Sequence, residues 1–413
     1  MNEEDHRFDT TGIDYGKHSF RERPRGRSGR DPLPERRVPR WVYRVIVILI
    51  LSALAVLGWY NRVNFQPANV MVWVRSHVVG FGIGDGFPST FSGSSVAPGN
   101  FLSCNKNIVI ASDTNLAAYN STAKELLNRQ HSYSQPVLKV NGSRALLYSL
   151  GGKECRIETV GGSSQKITAD QGILAGALSA DGKCALVTGA DGYCGKLTVY
   201  TSDSKVQSYY WFSDYYPSAV ALNPEGTQAA VAGVSAKNGE LISAVYLINL
   251  NSGKTEKPFA VYSGNLLHAI YWDTDSTVVA IGDTAASVIH VVSRTKQEIS
   301  YGDSELTAYC SDSGRTALGL SAHDSASGYK LLVCNKNGAQ ILARQFSESI
   351  QSISLYGGTV AALSNGKVNF YPLSAAAAGS ACDAGKDARA VALRDESSAY
   401  VLGISEIRLV NNR

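Results

Sequence analysis

From about Asn100 to the C-terminus, short apolar runs alternate with polar turns rich in Gly, Asp and Asn. The unit returns roughly every 40 residues, a spacing typical of propeller blades. Residues 177–189 (ALSADGKCALVTG) align position for position with 221–233 (ALNPEGTQAAVAG), and weaker copies lie at 271–282 and 393–403. Each copy predicts a strand, a tight turn and a second, more apolar strand. In the turn, Asp or Asn caps its own backbone and Gly takes positive φ. A third, alternating strand follows, as at 196–200, 244–249 and 288–292, and then a more polar fourth. Four antiparallel strands make one blade, and such sheets bury both faces only by stacking around an axis.

Units begin near Asn100, Pro136, Gly172, Ser218, Leu266, Leu306, Ile350 and Ala388. The expected fold is therefore an all-β propeller of eight four-stranded antiparallel blades across 100–413, with seven as the alternative because the first unit is poorly marked. The last unit runs out after three strands. The segment 63–99 reads as a linker, in which Val-Met-Val-Trp-Val at 70–74 has the character of a strand that closes the ring.

The amino-terminal region follows different physics. Nine arginines between Arg21 and Arg44 are interleaved with prolines and almost no apolar residues. Residues 1–40 thus read as a disordered basic tail, because they bury too little surface to offset their ordering entropy. Residues 45–60 carry no charge. With 41–44 they reach roughly the 20 residues of one bilayer crossing, and Trp41, Tyr43, Trp59 and Tyr60 sit at its edges. The span 41–62 is expected to be a signal-anchor helix. The positive-inside bias puts the basic tail in the cytoplasm and the large domain outside.

Composition narrows the function. Residues 1–62 hold 12 Lys/Arg and 8 Asp/Glu, which leaves 27 of 39 against 27 of 35 for the remainder. A domain with no basic excess offers nothing to displace phosphate counterions, so nucleic acid is not an expected partner. The 7 cysteines are odd in number and irregularly spaced, and the strand reading sets Cys184 opposite a residue near Tyr200 rather than Cys194. No Gly-x-Ser-x-Gly elbow occurs, and the 7 histidines are dispersed. Neither a metal nor a cofactor is called for.

The Ala-Asp-Gly-Lys turn at 180–183 and the Asn-Pro-Glu-Gly turn at 223–226 resemble those of WD40-like and TolB-type β-propellers. The Gly-His and Trp-Asp pairs of true WD40 units do not recur here. The order of basic tail, anchor, Gly-Ile-Gly-Asp-Gly-Phe-Pro at 82–88 and propeller resembles an uncharacterised family of single-pass envelope proteins of Gram-positive bacteria. That resemblance implies location and fold, but no activity.

One constellation points to binding. Aromatic residues gather where a fourth strand leads to the next first strand: Tyr133, Trp211, Tyr215, Tyr216, Tyr262 and Tyr301, with the carboxylate Asp214 among them. All such connections open on one face of a propeller, and aromatic rings bury much area at little entropic cost. The alternative for each ring is packing between blades. In the run 209–216 the consecutive rings cannot all point inward, because strand side chains alternate. The chain is thus expected to be a membrane-anchored extracytoplasmic propeller that binds an envelope protein or glycan. A propeller enzyme, either a glycosidase or lyase or a quinoprotein-like oxidoreductase, is the alternative.

Overall fold

The computed structural model describes residues 40–60, 82–160, 162–252, 256–322, 328–374 and 378–412, with helix side chains given over 41–56. The basic tail and the expected strand at 70–74 lie outside the described residues. The chain divides into two units, 1–57 and 58–413.

An α-helix, Arg40–Tyr60, begins in the first unit and ends three residues past its boundary. Its apolar side chains from Val45 to Val56 are exposed. Among the described residues, no helix is long and apolar enough to cross a membrane.

Among the described residues, the second unit contains eight four-stranded antiparallel sheets. Their first strands start at Val96, Pro136, Ile173, Tyr216, Leu267, Ser304, Ile350 and Ala390. The eight-unit reading holds, with the poorly marked first unit starting four residues earlier than expected. The turn chemistry explains the repeat. In blade 3, Lys183 N donates to Ser179 Oγ at 3.0 Å and Gly182 takes φ +90°. In blade 4, Asn223 Oδ1 accepts from Thr227 N and Gln228 N at 2.8 Å, and Gly226 takes φ +58°. Both turns close on a polar side chain that replaces missing ladder bonds.

The core consists of eight apolar clusters, one at each blade-to-blade contact. Eight contacts among eight blades make a closed ring. The eighth blade completes itself with Ser89–Thr90, which pairs with Glu406–Asn411. This closing strand falls inside the 63–99 segment. Phe87 and Phe91 flank it and pack into the cluster shared by blades 8 and 1. Tyr400, fully buried, meets Phe87 edge-on at 5.3 Å and donates its hydroxyl to Lys106 O of blade 1 at 2.7 Å.

The glycines at 82, 84 and 86 bring the chain into the ring. Gly84 N donates to Thr122 Oγ1 at 3.0 Å and Gly86 N to Thr122 O at 3.1 Å. A Cβ on Gly84 would lie 2.3 Å from Lys124 N, so only glycine permits this approach. The contacted turn, 120–124, joins the third and fourth strands of blade 1. In an antiparallel blade such turns lie on the face opposite the fourth-to-first connections. Residues 82–86 therefore join the ring on that face.

Candidate functional site

The run 209–216 alternates as a strand must. Phe212 and Tyr215 are buried in the contact between blades 3 and 4, where each meets Tyr246 edge-on, at 5.2 and 6.0 Å. Tyr210 turns the same way and donates its hydroxyl to Glu256 O at 2.7 Å. Tyr209 and Trp211 point to the other side and stay 64% and 38% exposed.

Strand register shows what accompanies them. Trp211 lies opposite Lys196, and Tyr209 opposite Thr198. Two residues further on, Tyr200 packs against blade 2. Tyr209, Trp211 and Lys196 thus line the outer cleft between blades 2 and 3. Tyr193, 51% exposed, joins them, its ring 5.0 Å from that of Trp211. Tyr209 stands edge-on to Trp211 at 6.3 Å. Lys196 Nζ lies 5.0 Å from the Trp211 ring centre and 5.7 Å from that of Tyr209, while it bonds Asp170 Oδ2 at 3.2 Å. Beside it Gln171 Nε2 donates to Asp191 Oδ2 at 3.3 Å. The result is a row of exposed rings edged by an ammonium, two carboxylates and an amide.

The remaining expected residues divide. Tyr216 is 60% exposed and Asp214 is exposed on the loop before it. Tyr133, Tyr262 and Tyr301 are buried between blades and do not join a common surface. Tyr133 stacks on His131 at 5.3 Å, and burial pushes its phenol up to about 12. Tyr262 donates to Ser287 Oγ at 2.9 Å, and Lys296 Nζ lies 4.4 Å over its ring. Packing accounts for these three, since a ring at the end of a fourth strand can cover the adjacent blade. Sequence reasoning missed Tyr193, Lys196 and Asp170, which only register and folding bring to Trp211.

A second feature shares the same face. A depression of about 720 Å³ between blades 5 and 6 is lined by His268, Asp283, Thr284, Asp303, Glu305 and Leu306, among others. Asp283 Oδ1 is engaged by Leu266 N at 2.8 Å. Among the described residues, no group of His, Cys, Asp and Glu is arranged to hold a metal ion.

On the opposite face Asp273 accepts from Ser311 Oγ at 3.2 Å, while its buried Oδ2 meets no protein donor among the described residues. Burial, reinforced by nearby Asp312, raises its carboxyl to about 6.

Fold and site together define a closed eight-bladed β-propeller with an exposed aromatic cleft between blades 2 and 3. Comparison with known proteins agrees on the class. Residues 89–402 match the family of unknown function DUF5711, and the chain belongs to that family. Similar solved structures include the computationally designed protein Ika8, at 13% identity and TM-score 0.51 over 79% of this chain and 98% of the other. Sqt1 from Saccharomyces cerevisiae is similar at 9% identity and TM-score 0.52, over 79% of this chain and 100% of its own. AztD from Citrobacter koseri follows at 10% identity and TM-score 0.50, over 69% and 86%. These likenesses show the fold alone. No curated protein matches the chain.

Proposed function

We propose that this protein is a single-pass membrane protein whose propeller stands outside the cell and binds an envelope glycan or protein through the cleft between blades 2 and 3. The observation that carries the binding reading is the exposed row Tyr193, Trp211 and Tyr209 with Lys196 and Asp170 at its edge. Monomer surfaces rarely leave such rings uncovered without a use. Flat rings bordered by hydrogen-bonding groups suit the apolar face and hydroxyls of a sugar, which favours a glycan.

The anchor reading draws on the sequence. The span 41–60 reaches roughly the 20 residues of one bilayer crossing. Its uncharged stretch follows an arginine-rich segment, which orients the amino terminus to the cytoplasm. The described chain also joins the ring, at 82–86, on the face opposite the cleft's loops.

Co-sedimentation of the full chain with purified cell-wall polysaccharide tests the glycan. Trp211→Ala and Tyr209→Ala are expected to lower binding by about 2- to 10-fold each, since stacking one ring contributes about 0.5–1.5 kcal/mol. Unchanged binding in both would remove the cleft from consideration. A second reading, a glycosidase, draws on the carboxylates Asp283, Asp303 and Glu305 around one depression. Sugar release that disappears in Asp303→Asn and Glu305→Gln would favour it over pure binding.

A further inference from the structure

Two buried thiols face each other across a blade boundary. Cys155 lies in the third strand of blade 2, Glu154–Thr159, and Cys184 opens the second strand of blade 3, Cys184–Ala190. No backbone ladder joins those strands, since each sheet closes on its own four. Both residues are fully buried in the cluster that holds blades 2 and 3 together, among Leu146, Tyr148, Ile167 and Tyr200. The sheets pack closely here. A Cβ on Gly176 of blade 3 would sit 3.0 Å from both Leu146 and Tyr148 of blade 2.

Both side chains belong to the one cluster at this contact, and the neighbouring Cys155, ahead of burial, holds the Cys184 thiol well above its ordinary range. Other cysteines are engaged differently. Cys104, Cys194 and Cys382 each donate to a main-chain carbonyl, of Gly142, Ser213 and Asn411, at 3.0, 3.1 and 2.8 Å. Cys155 and Cys184 instead lie buried in the same cluster, on the facing sides of two blades.

We infer that Cys155 and Cys184 are a disulfide-forming pair, which locks blade 2 to blade 3 when the chain folds in contact with a disulfide oxidant. Cys155 thiolate attacks the oxidant's S–S bond and gives a mixed disulfide with release of one reduced thiol. Cys184 thiolate then attacks the Cys155 sulfur and expels the second. The pair loses two electrons and two protons, and the two oxidant thiols carry both away. In the closed ring both thiols are buried and Cys184 resists ionisation, so the exchange belongs to folding or to transient opening of the blade contact. The inference does not rest on where the propeller resides.

The purified full chain, unfolded with reductant and refolded in a reduced–oxidised glutathione buffer, provides the test. Thiols are then capped with N-ethylmaleimide and the digest is mapped without reduction. The peptides bearing Cys155 and Cys184 should appear joined, lighter by two hydrogen atoms than their sum, with the other five cysteines capped. Native reduced protein, held with oxidised glutathione near its unfolding midpoint, should form the same link and melt several degrees higher afterwards. Cys184→Ser should abolish the linked peptide in both experiments and leave Cys155 capped. Capping of Cys155 and Cys184 in both wild-type samples, or linkage of either to another cysteine, would overturn the inference.

Discussion

Tyr400 joins the last blade to the first, so the closed ring makes a quantitative claim about its replacement. Tyr400→Phe removes one hydroxyl and the 2.7 Å bond to Lys106 O while the buried ring keeps its contact with Phe87. Lys106 is exposed, so its carbonyl can turn to water, and the cost should stay near 1 kcal/mol. Tyr400→Ala also removes a fully buried ring, at a cost of about 3–5 kcal/mol. The ring spans 89–411, so its unfolding entropy is on the order of 0.7 kcal/mol per kelvin at ~2.1 cal/mol/K per residue. The midpoint should therefore fall by about 1–2 °C in the first variant and about 4–7 °C in the second. Thermal unfolding followed by circular dichroism reads both. Tyr210→Phe, which loses a 2.7 Å bond to Glu256 O and a 3.2 Å bond accepted from Glu256 N at the contact between blades 3 and 4, is the internal control and should cost at least as much as Tyr400→Phe. A Tyr400→Ala variant that melts within a degree of wild type would refute a ring closed at this seam.

Asp273 supplies a pH-dependent prediction. Its folded carboxyl, raised to about 6 from 3.8 mainly by burial, binds its proton more tightly than in the unfolded chain. Its contribution is thus most favourable below about pH 4 and is lost as pH rises through about 6. Asp273→Asn should gain stability over wild type by on the order of 2 kcal/mol between pH 4.5 and pH 7.5, as denaturant titrations at both values would show. A constant difference across that range would contradict a desolvated carboxylate. Gly195→Ala probes the tight approach of blade 4 to blade 3, since the new Cβ would lie 2.5 Å from Pro217 Cγ. A loss of about 1–3 kcal/mol is expected in the same titration, and a neutral result would mean that the contact is looser than described.

The blades were legible because each turn needs a positive φ and a capping side chain, as at Ser179–Gly182 and Asn223–Gly226, and those needs select Gly, Asp and Asn. The closing strand was not. Ser89–Thr90 is two polar residues long, with no alternation to mark it, and its stability comes from Phe87 and Phe91 on either side. In the aromatic run, period-two alternation foretold that some rings stay outside, and Tyr209, Trp211 and Tyr216 do. Which side Tyr133, Tyr262 and Tyr301 would take depended on the packing of the neighbouring blades, which strand alternation alone does not give. Tyr193 and Lys196 reach Trp211 only through strand register, and Cys155 reaches Cys184 only through the stacking of two sheets. Spacing along the chain carries neither relation.

The central claim is that an envelope ligand occupies the cleft between blades 2 and 3. A photo-crosslinking amino acid placed at Tyr209 in the full chain, irradiated in native membranes, tests this most directly. Val292, 84% exposed in a turn on the opposite face, carries the same probe as the comparison. The account predicts a glycan or protein adduct from position 209 that fades in the Trp211→Ala background, and none from 292. Adducts from 292 alone, or equal labelling from both positions, would contradict it.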